Sequence, residues 1–144
     1  MSVLLSKSDA ALTVTPETTI HDVVQAMEDR GVAAAIVVER DRPIGIFTTR
    51  DLMSRVVLRD LDAERARVGE VMTSKLVVVR ADTDPVEARQ RMIEHAVRHL
   101  PVVDGDGRVL GMLTMRRLLE DEADVLRSEA TSLENYAGYD GATG

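Results

Sequence analysis

The chain has 144 residues and is 44% hydrophobic, which is enough apolar material for one domain or two small halves packed together. Aromatic residues make up only 2% and the net charge is -7, so a dedicated binder of DNA or RNA is disfavoured. The absence of cysteine excludes disulfides, zinc–thiolate sites and cysteine nucleophiles. With no secretory pattern and no apolar run of membrane-spanning length, we expect a cytoplasmic protein that does not contact a membrane.

The first part of the chain predicts the element order β-α-β-β-α. A short apolar strand at residues 12–14 precedes a helix whose start carries Thr19 and Asp22 in the spacing of a capping box. One face of this helix is apolar at the i, i+3, i+4, i+7 spacing: Ile20, Val23, Val24 and Met27. An apolar strand at residues 33–38, a polar turn at 40–43 and a second strand then lead through Gly45 into a final helix.

The second part predicts the same order. A strand at residues 76–79 precedes a helix that begins with Asp84 as the cap residue, Pro85 in the first helical position and Glu87 in the first turn. A strand at residues 100–103 and a polar turn at 104–107 follow, and Gly111 again leads into a helix. The apolar spacing of this last helix continues beyond it, at Leu119, Ala123, Leu126, Ala130 and Leu133.

An internal repeat explains this doubling. A shift of 65 residues, the separation of Met27 and Met92, superimposes the first halves of the two units, and a single extra loop residue makes the shift 66 from Arg42 and Arg108 onward. We expect repeats at 1–58 and 68–120, a connector at 59–67, a C-terminal helix at 121–136 and a flexible tail at 137–144. A unit of this size is marginal alone, so the predicted fold is α/β, with the repeats packed sheet to sheet about a pseudo-twofold axis.

The strand-to-helix junctions carry the candidate chemistry. They read Gly45-Ile46-Phe47-Thr48-Thr49-Arg50-Asp51 and Gly111-Met112-Leu113-Thr114-Met115-Arg116-Arg117. A helix N-terminus with free N–H groups stabilises anions, and an acid one turn along can accept hydrogen bonds from two vicinal sugar hydroxyls. The first junction is therefore suited to a sugar phosphate.

The doubled unit and its Gly-x-x-Thr-x-x-Asp junction resemble a tandem pair of CBS (cystathionine-β-synthase) domains, also called a Bateman module. Three further stretches share the resemblance, which covers about residues 10–120: Thr15-Pro16-Glu17-Thr18-Thr19-Ile20, Gly69-Glu70-Val71-Met72-Thr73 and Arg98-His99-Leu100-Pro101-Val102-Val103-Asp104. The resemblance implies a regulatory, non-catalytic module that binds AMP, ADP, ATP or S-adenosylmethionine between the repeats. It also implies a homodimer formed by the helices from Arg50 to Leu58 and from Arg116 onward, with an unknown effector protein.

The resemblance also implies roles for single residues. Asp51 would hold the ribose and Thr48 would contact phosphate, with Arg50 between them in the same junction. Leu76 and Val77 would line the adenine, with Thr73 close by. Three residues would supply positive charge for the phosphates: Arg98, His99 and Arg116. No catalytic cofactor and no metal site are implied, because the three histidines lack ligand spacing.

The second repeat departs from the family pattern. Arg117 stands where the ribose acid belongs, and the first repeat has Ala33 and Ala34 where the second has Arg98 and His99. The segment Val71-Met72-Thr73 is matched by Ser6-Lys7-Ser8 in the first repeat, so the cleft at the second junction departs further from the family pattern. We therefore expect one competent cleft, organised by Asp51.

Structural interpretations of the same residues stay open at this stage. Asp51 fits a first-turn acid favoured by the helix dipole, and Thr48 fits an N-cap. Arg98 and His99 fit a solvated loop, and Arg116 fits a surface charge. The alternative function is a dimerisation or protein-interaction module whose clefts hold no ligand.

Overall fold

The computed structural model describes residues 3–137 and has the predicted α/β order in both repeats. The first half contains α1 (Val3–Ser6), β1 (Thr13–Val14), α2 (Ile20–Arg30), β2 (Ala34–Glu39), β3 (Arg42–Thr48), α3 (Thr49–Asp51) and a π-helical turn (Leu52–Val57). The second half contains α4 (Val68–Val71), β4 (Val79–Arg80), α5 (Pro85–His95), β5 (His99–Val103), β6 (Val109–Thr114) and α6 (Met115–Ala137). The predicted tail lies outside the described residues from 138 onward.

Each repeat builds one three-stranded sheet with the same topology. The strand orders are β1-β2-β3 and β4-β5-β6, with a parallel pair followed by an antiparallel pair in both. Val37 pairs with Gly45 in the first sheet and Val102 with Gly111 in the second, and in both sheets the register shifts at the next residue. The predicted strand at 76–79 is wrong for residues 76–78, because pairing with β5 begins only at Val79.

The second helix of each repeat begins as its sequence predicts. Thr19 caps α2 by accepting a hydrogen bond from the Asp22 N–H at 3.2 Å, and Asp84 caps α5 by accepting one from the Val86 N–H at 2.8 Å. Gly31 ends α2 in the left-handed conformation at φ 63°, where a side chain is strained.

The apolar residues form one core in each repeat and a third cluster between the sheets. Met27 lies in the first core and Met92 in the second, at equivalent places on α2 and α5. The third cluster takes Ala34 and Ile36 from the first sheet and Met112 from the second. The two repeats therefore pack sheet to sheet with the predicted pseudo-symmetry.

The repeats exchange the segments that precede their first strands. Leu4 of α1, in the N-terminal part of the chain, is fully buried in the core of the second repeat. Val68 and Val71 of α4, which follow the connector, are buried in the core of the first repeat. Packing thus crosses the boundaries of the sequence repeat, and each core is completed by residues from the other half.

The last helix differs between the repeats. In the first repeat, α3 passes directly into a π-helical turn in which the Leu58 N–H bonds to the Met53 carbonyl at 3.0 Å. In the second repeat, α6 is a single helix of 23 residues, so the extension predicted at 121–136 continues the helix of the second junction. No helix within residues 3–137 is both long and apolar enough to cross a bilayer.

Candidate functional site

The segments that precede the first strands, here called the leading segments (residues 7–12 and 72–78), cross between the repeats. Thr73 exchanges backbone hydrogen bonds with Ile46 of β3 at 2.8 and 2.9 Å, and Asp9 exchanges them with Met112 of β6 at 2.9 Å. A side chain on Gly45 would collide with the side chain of Met72. Gly45 is therefore needed for the close approach of the second leading segment.

This crossing corrects the alignment of the leading segments. Asp9 occupies the place of Thr73, so the predicted match of Val71-Met72-Thr73 with Ser6-Lys7-Ser8 is wrong by one residue. The second leading segment has one residue more between its crossing and its strand, because Val14 and Val79 are equivalent in the sheets. The 65-residue shift comes from Met27 and Met92 on the helices, so it does not detect this difference of one residue in the leading segments.

Asp51 is the buried acid at the first junction, with a relative exposure of 7%. Its Oδ2 accepts hydrogen bonds from the Thr48 N–H at 3.0 Å and from Thr48 Oγ1 at 3.2 Å. Its own N–H bonds to Thr48 Oγ1 at 3.3 Å, which completes a capping box at the start of α3. The N-cap interpretation of Thr48 is thus correct, and the Thr48 hydroxyl is held by Asp51.

The other oxygen of Asp51 faces the second leading segment. Oδ1 accepts a hydrogen bond from Thr73 Oγ1 at 3.2 Å and lies 3.8 Å from the Arg55 Nε. Arg55 Nη1 also donates to the Val71 and Met72 carbonyls, at 3.2 and 3.1 Å. The structure therefore brings Thr48, Asp51 and Thr73 together in one cleft, which we call the first cleft.

Arg55 is a residue of this cleft that the sequence analysis missed. It ties the π-helical turn of the first repeat to the backbone that leads into the second repeat. Its position four residues after Asp51 on a helix was the available signal, since such pairs face each other.

The predicted cationic residues line a cavity that is separate from the Asp51 contacts. Arg98, His99 and Arg116 line a cavity of about 680 Å³ together with Ala33 of the first repeat. The Ala33 carbonyl accepts a hydrogen bond from the Thr49 N–H at 3.1 Å, so the cavity adjoins the first junction. Other lining residues come from the second junction and α6: Thr114, Met115, Leu119, Glu120 and Ala123.

The three cationic side chains differ in their surroundings. Burial lowers the pKa of His99 and the charge of Arg98 lowers it further, so this imidazole is neutral at pH 7 in the ligand-free protein, and its positive charge toward a phosphate stays a prediction. Arg116 is 88% exposed and its Nε bonds to Glu120 Oε1 at 3.0 Å. Fixed positive charge at the cavity therefore comes from Arg98 and Arg116.

Three further predicted site residues do not line the cationic cavity, and no described contact joins them to Asp51. Leu76 and Val77 are half-buried, and Val77 packs against the core of the second repeat. Arg50 is exposed, and its carbonyl accepts a hydrogen bond from Ser54 Oγ at 2.9 Å. The adenine-lining role of Leu76 and Val77 stays a prediction.

With this geometry established, comparison with known proteins identifies the family. The CBS domain model matches residues 7–58 and 68–124. The chain belongs to the CBS domain family. A protein with CBS domains from Burkholderia ambifaria has a solved structure that is 31% identical, with a TM-score of 0.74 over 84% of this chain and 93% of that one.

Two further relatives are informative. The CBS domain protein PAE2072 from Pyrobaculum aerophilum, solved in complex with AMP, is 26% identical, with a TM-score of 0.75 over 88% of this chain and 97% of that one. The uncharacterized protein MK0525 from Methanopyrus kandleri is 31% identical over 112 residues, which are 77% of this chain and 57% of that protein. This chain thus spans a little over half the length of the Methanopyrus relative.

Proposed function

We propose that this CBS pair is a regulatory, non-catalytic module that binds one adenosine-containing nucleotide in the first cleft. The observation that carries the proposal is the buried carboxylate of Asp51 at the meeting point of the two repeats, with Thr73 of the second repeat on its Oδ1. A buried carboxylate is a strong acceptor for the two hydroxyls of a ribose, because hydrogen bonds to a charged group are stronger than neutral ones. The AMP complex of the Pyrobaculum relative supports the adenosine class.

The cationic cavity supplies the other half of the recognition. Arg98 and Arg116 provide positive charge beside Ala33, and Ala33 contacts the backbone of the first junction. A phosphate at this cavity gains charge-assisted hydrogen bonds, while the overall charge of -7 repels large polyanions. The site therefore favours a small nucleotide, and we keep AMP, ADP, ATP and S-adenosylmethionine as candidates.

Ligand binding at Asp51 has a direct route to a change in the protein. The ribose hydroxyls compete with Thr73 for the Asp51 Oδ1, so a bound nucleotide replaces a contact that joins the two repeats. Arg55 still holds the Val71 and Met72 carbonyls, which keeps the second leading segment near the cleft. The relative position of the repeats is the quantity that we expect the ligand to bias.

The partners of the module are a second copy of the chain and an effector protein, in a cytoplasmic setting. The helices expected to form the dimer carry exposed apolar side chains at five positions: Met53, Val57, Leu58, Leu119 and Leu126. Within the range Arg50 to Leu58 that we expected to form the dimer, Leu52 and Val56 instead pack with the core of the first repeat. They stand four residues apart and share the inner helix face, while Met53 and Val57 share the outer one.

The alternative function, a structural dimerisation module, is favoured by one observation. Both carboxylate oxygens of Asp51 already have partners within the chain: Oδ2 accepts from Thr48 and Oδ1 from Thr73, with the Arg55 Nε 3.8 Å from Oδ1. In this alternative Asp51 only joins the repeats, and the exposed apolar side chains carry the function.

A thermal-shift panel separates the two functions. The parent protein is heated with adenosine, AMP, ADP, ATP and S-adenosylmethionine, with GMP as the matched purine control. A ligand at a hundredfold excess over its Kd stabilises the native state by about 2.7 kcal/mol, which is a shift of several degrees for a domain of this size. A shift with adenosine ligands and none with GMP supports the sensing module, and no shift with any adenosine ligand supports the structural module.

A further inference from the structure

The second cleft, between the second junction and the first leading segment, contains an ion pair at the place of Asp51 and Thr73. Arg117 Nη1 donates to Asp9 Oδ1 at 2.8 Å. Asp9 is the structural counterpart of Thr73, because each crosses the final strand of the other repeat, and Arg117 is the counterpart of Asp51 in the junction. The contact between junction and leading segment is therefore kept in both clefts, but its chemistry is reversed.

The helix that carries Arg117 begins with the same cap as the helix that carries Asp51. The Arg117 N–H bonds to Thr114 Oγ1 at 3.1 Å, as the Asp51 N–H bonds to Thr48 Oγ1 at 3.3 Å. Thr114 thus caps α6 as Thr48 caps α3, with Arg117 in the place of Asp51 three residues later. The helix start would accommodate an acid at position 117, which is the favoured charge in a first helical turn.

Further charges hold the reversed pair in place. Arg117 Nε also donates to Asp121 Oδ1 at 3.4 Å, and Lys7 Nζ lies 3.5 Å from Asp121 Oδ2. Lys7 and Asp9 belong to the first leading segment, whereas Arg117 and Asp121 lie on α6. Charges of alternating sign therefore join the first leading segment to α6 at two points.

We propose that the Asp9–Arg117 pair is the specificity determinant that closes the second cleft to adenosine ligands, so that each chain binds one nucleotide. A guanidinium has donors only, so Arg117 cannot accept the ribose hydroxyls that an aspartate accepts. The carboxylate of Asp9 accepts from Arg117, and it comes from the leading segment and not from the junction, which carries the acid Asp51 in the first cleft. In the second cleft the pair joins the junction to the leading segment by a contact within the chain. In the first cleft the equivalent contact of Asp51 with Thr73 can be replaced by a ligand.

The test gives the second cleft the two side chains that the first cleft has at the equivalent positions, a threonine and an aspartate. It rests on the proposed function for its probe, AMP, but it is read as the number of AMP molecules bound per folded chain. Calorimetric titrations are made on the full chain with the parent, Asp9→Thr, Arg117→Asp and the double variant, and circular dichroism confirms the folded fraction of each. We expect one AMP for the parent and for both single variants, and two for the double variant.

Two outcomes would overturn the proposal. Two AMP molecules on the parent, with loss of one in Asp9→Thr, would mean that Asp9 itself holds a ribose. A folded double variant that binds no more AMP than the parent would mean that the pair is not what excludes the nucleotide.

Failure of the proposed function gives a different result. If the parent binds no AMP but the double variant binds one molecule, the sensing function fails while the role of the pair stands. Adding Asp51→Ala to the double variant gives an independent reading, since we expect one AMP to remain in the rebuilt cleft.

Discussion

Thr73 Oγ1 donates a hydrogen bond to Asp51 Oδ1 across 3.2 Å, and this contact joins the leading segment of one repeat to the junction helix of the other. Asp51 is therefore both a structural residue and the best candidate for a ribose acceptor. The two roles use the same oxygen, so stability and ligand binding are expected to be coupled at this contact.

Replacing Thr73 by valine separates the roles. Thr73→Val keeps the shape of the side chain and removes the donor, and we expect the free energy of unfolding to fall by about 1–2 kcal/mol. AMP binding is expected to be retained, because the ligand replaces this bond. Urea denaturation checks the first result and calorimetry the second, with Thr18→Val as the control for an exposed hydroxyl. A tenfold loss of AMP affinity would show that Thr73 contacts the ligand.

The cationic cavity predicts a dependence on the ligand's phosphates. Arg98→Ala and Arg116→Ala are expected to weaken ATP binding by a larger factor than adenosine binding, because the removed charge acts on phosphate. Arg65→Ala, at a connector residue whose side chain is 90% exposed, controls for the change in net charge. Titrations with ATP and adenosine measure the two factors, and equal losses for both ligands would contradict a phosphate contact.

The lowered pKa of His99 predicts uptake of a proton on binding. Burial and the charge of Arg98 keep the ring neutral, and a phosphate in the cavity raises its pKa again. Protons are taken up between the lowered pKa and the raised one, so AMP affinity is expected to increase as the pH falls through that window. Calorimetry in buffers of different ionisation enthalpy measures the uptake.

Two controls assign this effect to His99. Adenosine has no phosphate and is expected to bind without proton uptake, and His99→Gln is expected to abolish the uptake for AMP. In the absence of ligand the same lowered pKa means that the folded protein binds fewer protons than the unfolded chain. His99 therefore makes the free energy of unfolding fall as the pH drops below about 6.5. Uptake that persists in His99→Gln would contradict the assignment.

The exposed apolar side chains of the junction helices predict a dimer. Val57 and Leu58 are 62% and 78% exposed, and Val57→Glu with Leu58→Glu is expected to convert the dimer to a 15.8 kDa monomer. Val86→Glu and Ile93→Glu on α5 are the matched controls, since these residues are 65% and 62% exposed. Light scattering at micromolar concentration gives the mass, and a monomeric parent would contradict the prediction.

The fold could largely be predicted from the sequence because the pattern for β-α-β-β-α occurs twice in the chain. The separation of Met27 and Met92 gave the repeat, and the cap residues Thr19 and Asp84 gave the starts of the helices. The exchange of α1 and α4 between the repeats could not be predicted, since each helix is four residues long and its partners lie in the other half. Such contacts depend on tertiary packing and leave no periodic pattern.

The candidate site was only partly predictable. The junction motif pointed to Asp51 and Thr48, and the resemblance supplied Thr73. Arg55 and Asp9 were missed because their contacts, with the Val71 and Met72 carbonyls and with Arg117, depend on how the leading segments cross. The burial that lowers the pKa of His99 could not be predicted, because a single histidine in a sequence carries no signal of its surroundings.

The central claim, that a nucleotide binds in the first cleft through Asp51, is tested most directly by calorimetry with AMP. The parent is compared with Asp51→Asn, which keeps the size of the side chain and removes its charge, and with Arg117→Ala at the equivalent position of the second repeat. We expect Asp51→Asn to weaken binding by about tenfold or more, because charged hydrogen bonds are worth about 1.5–3 kcal/mol each and 1.4 kcal/mol is a factor of ten. We expect Arg117→Ala to bind AMP like the parent. AMP affinity unchanged in a folded Asp51→Asn protein would contradict the claim.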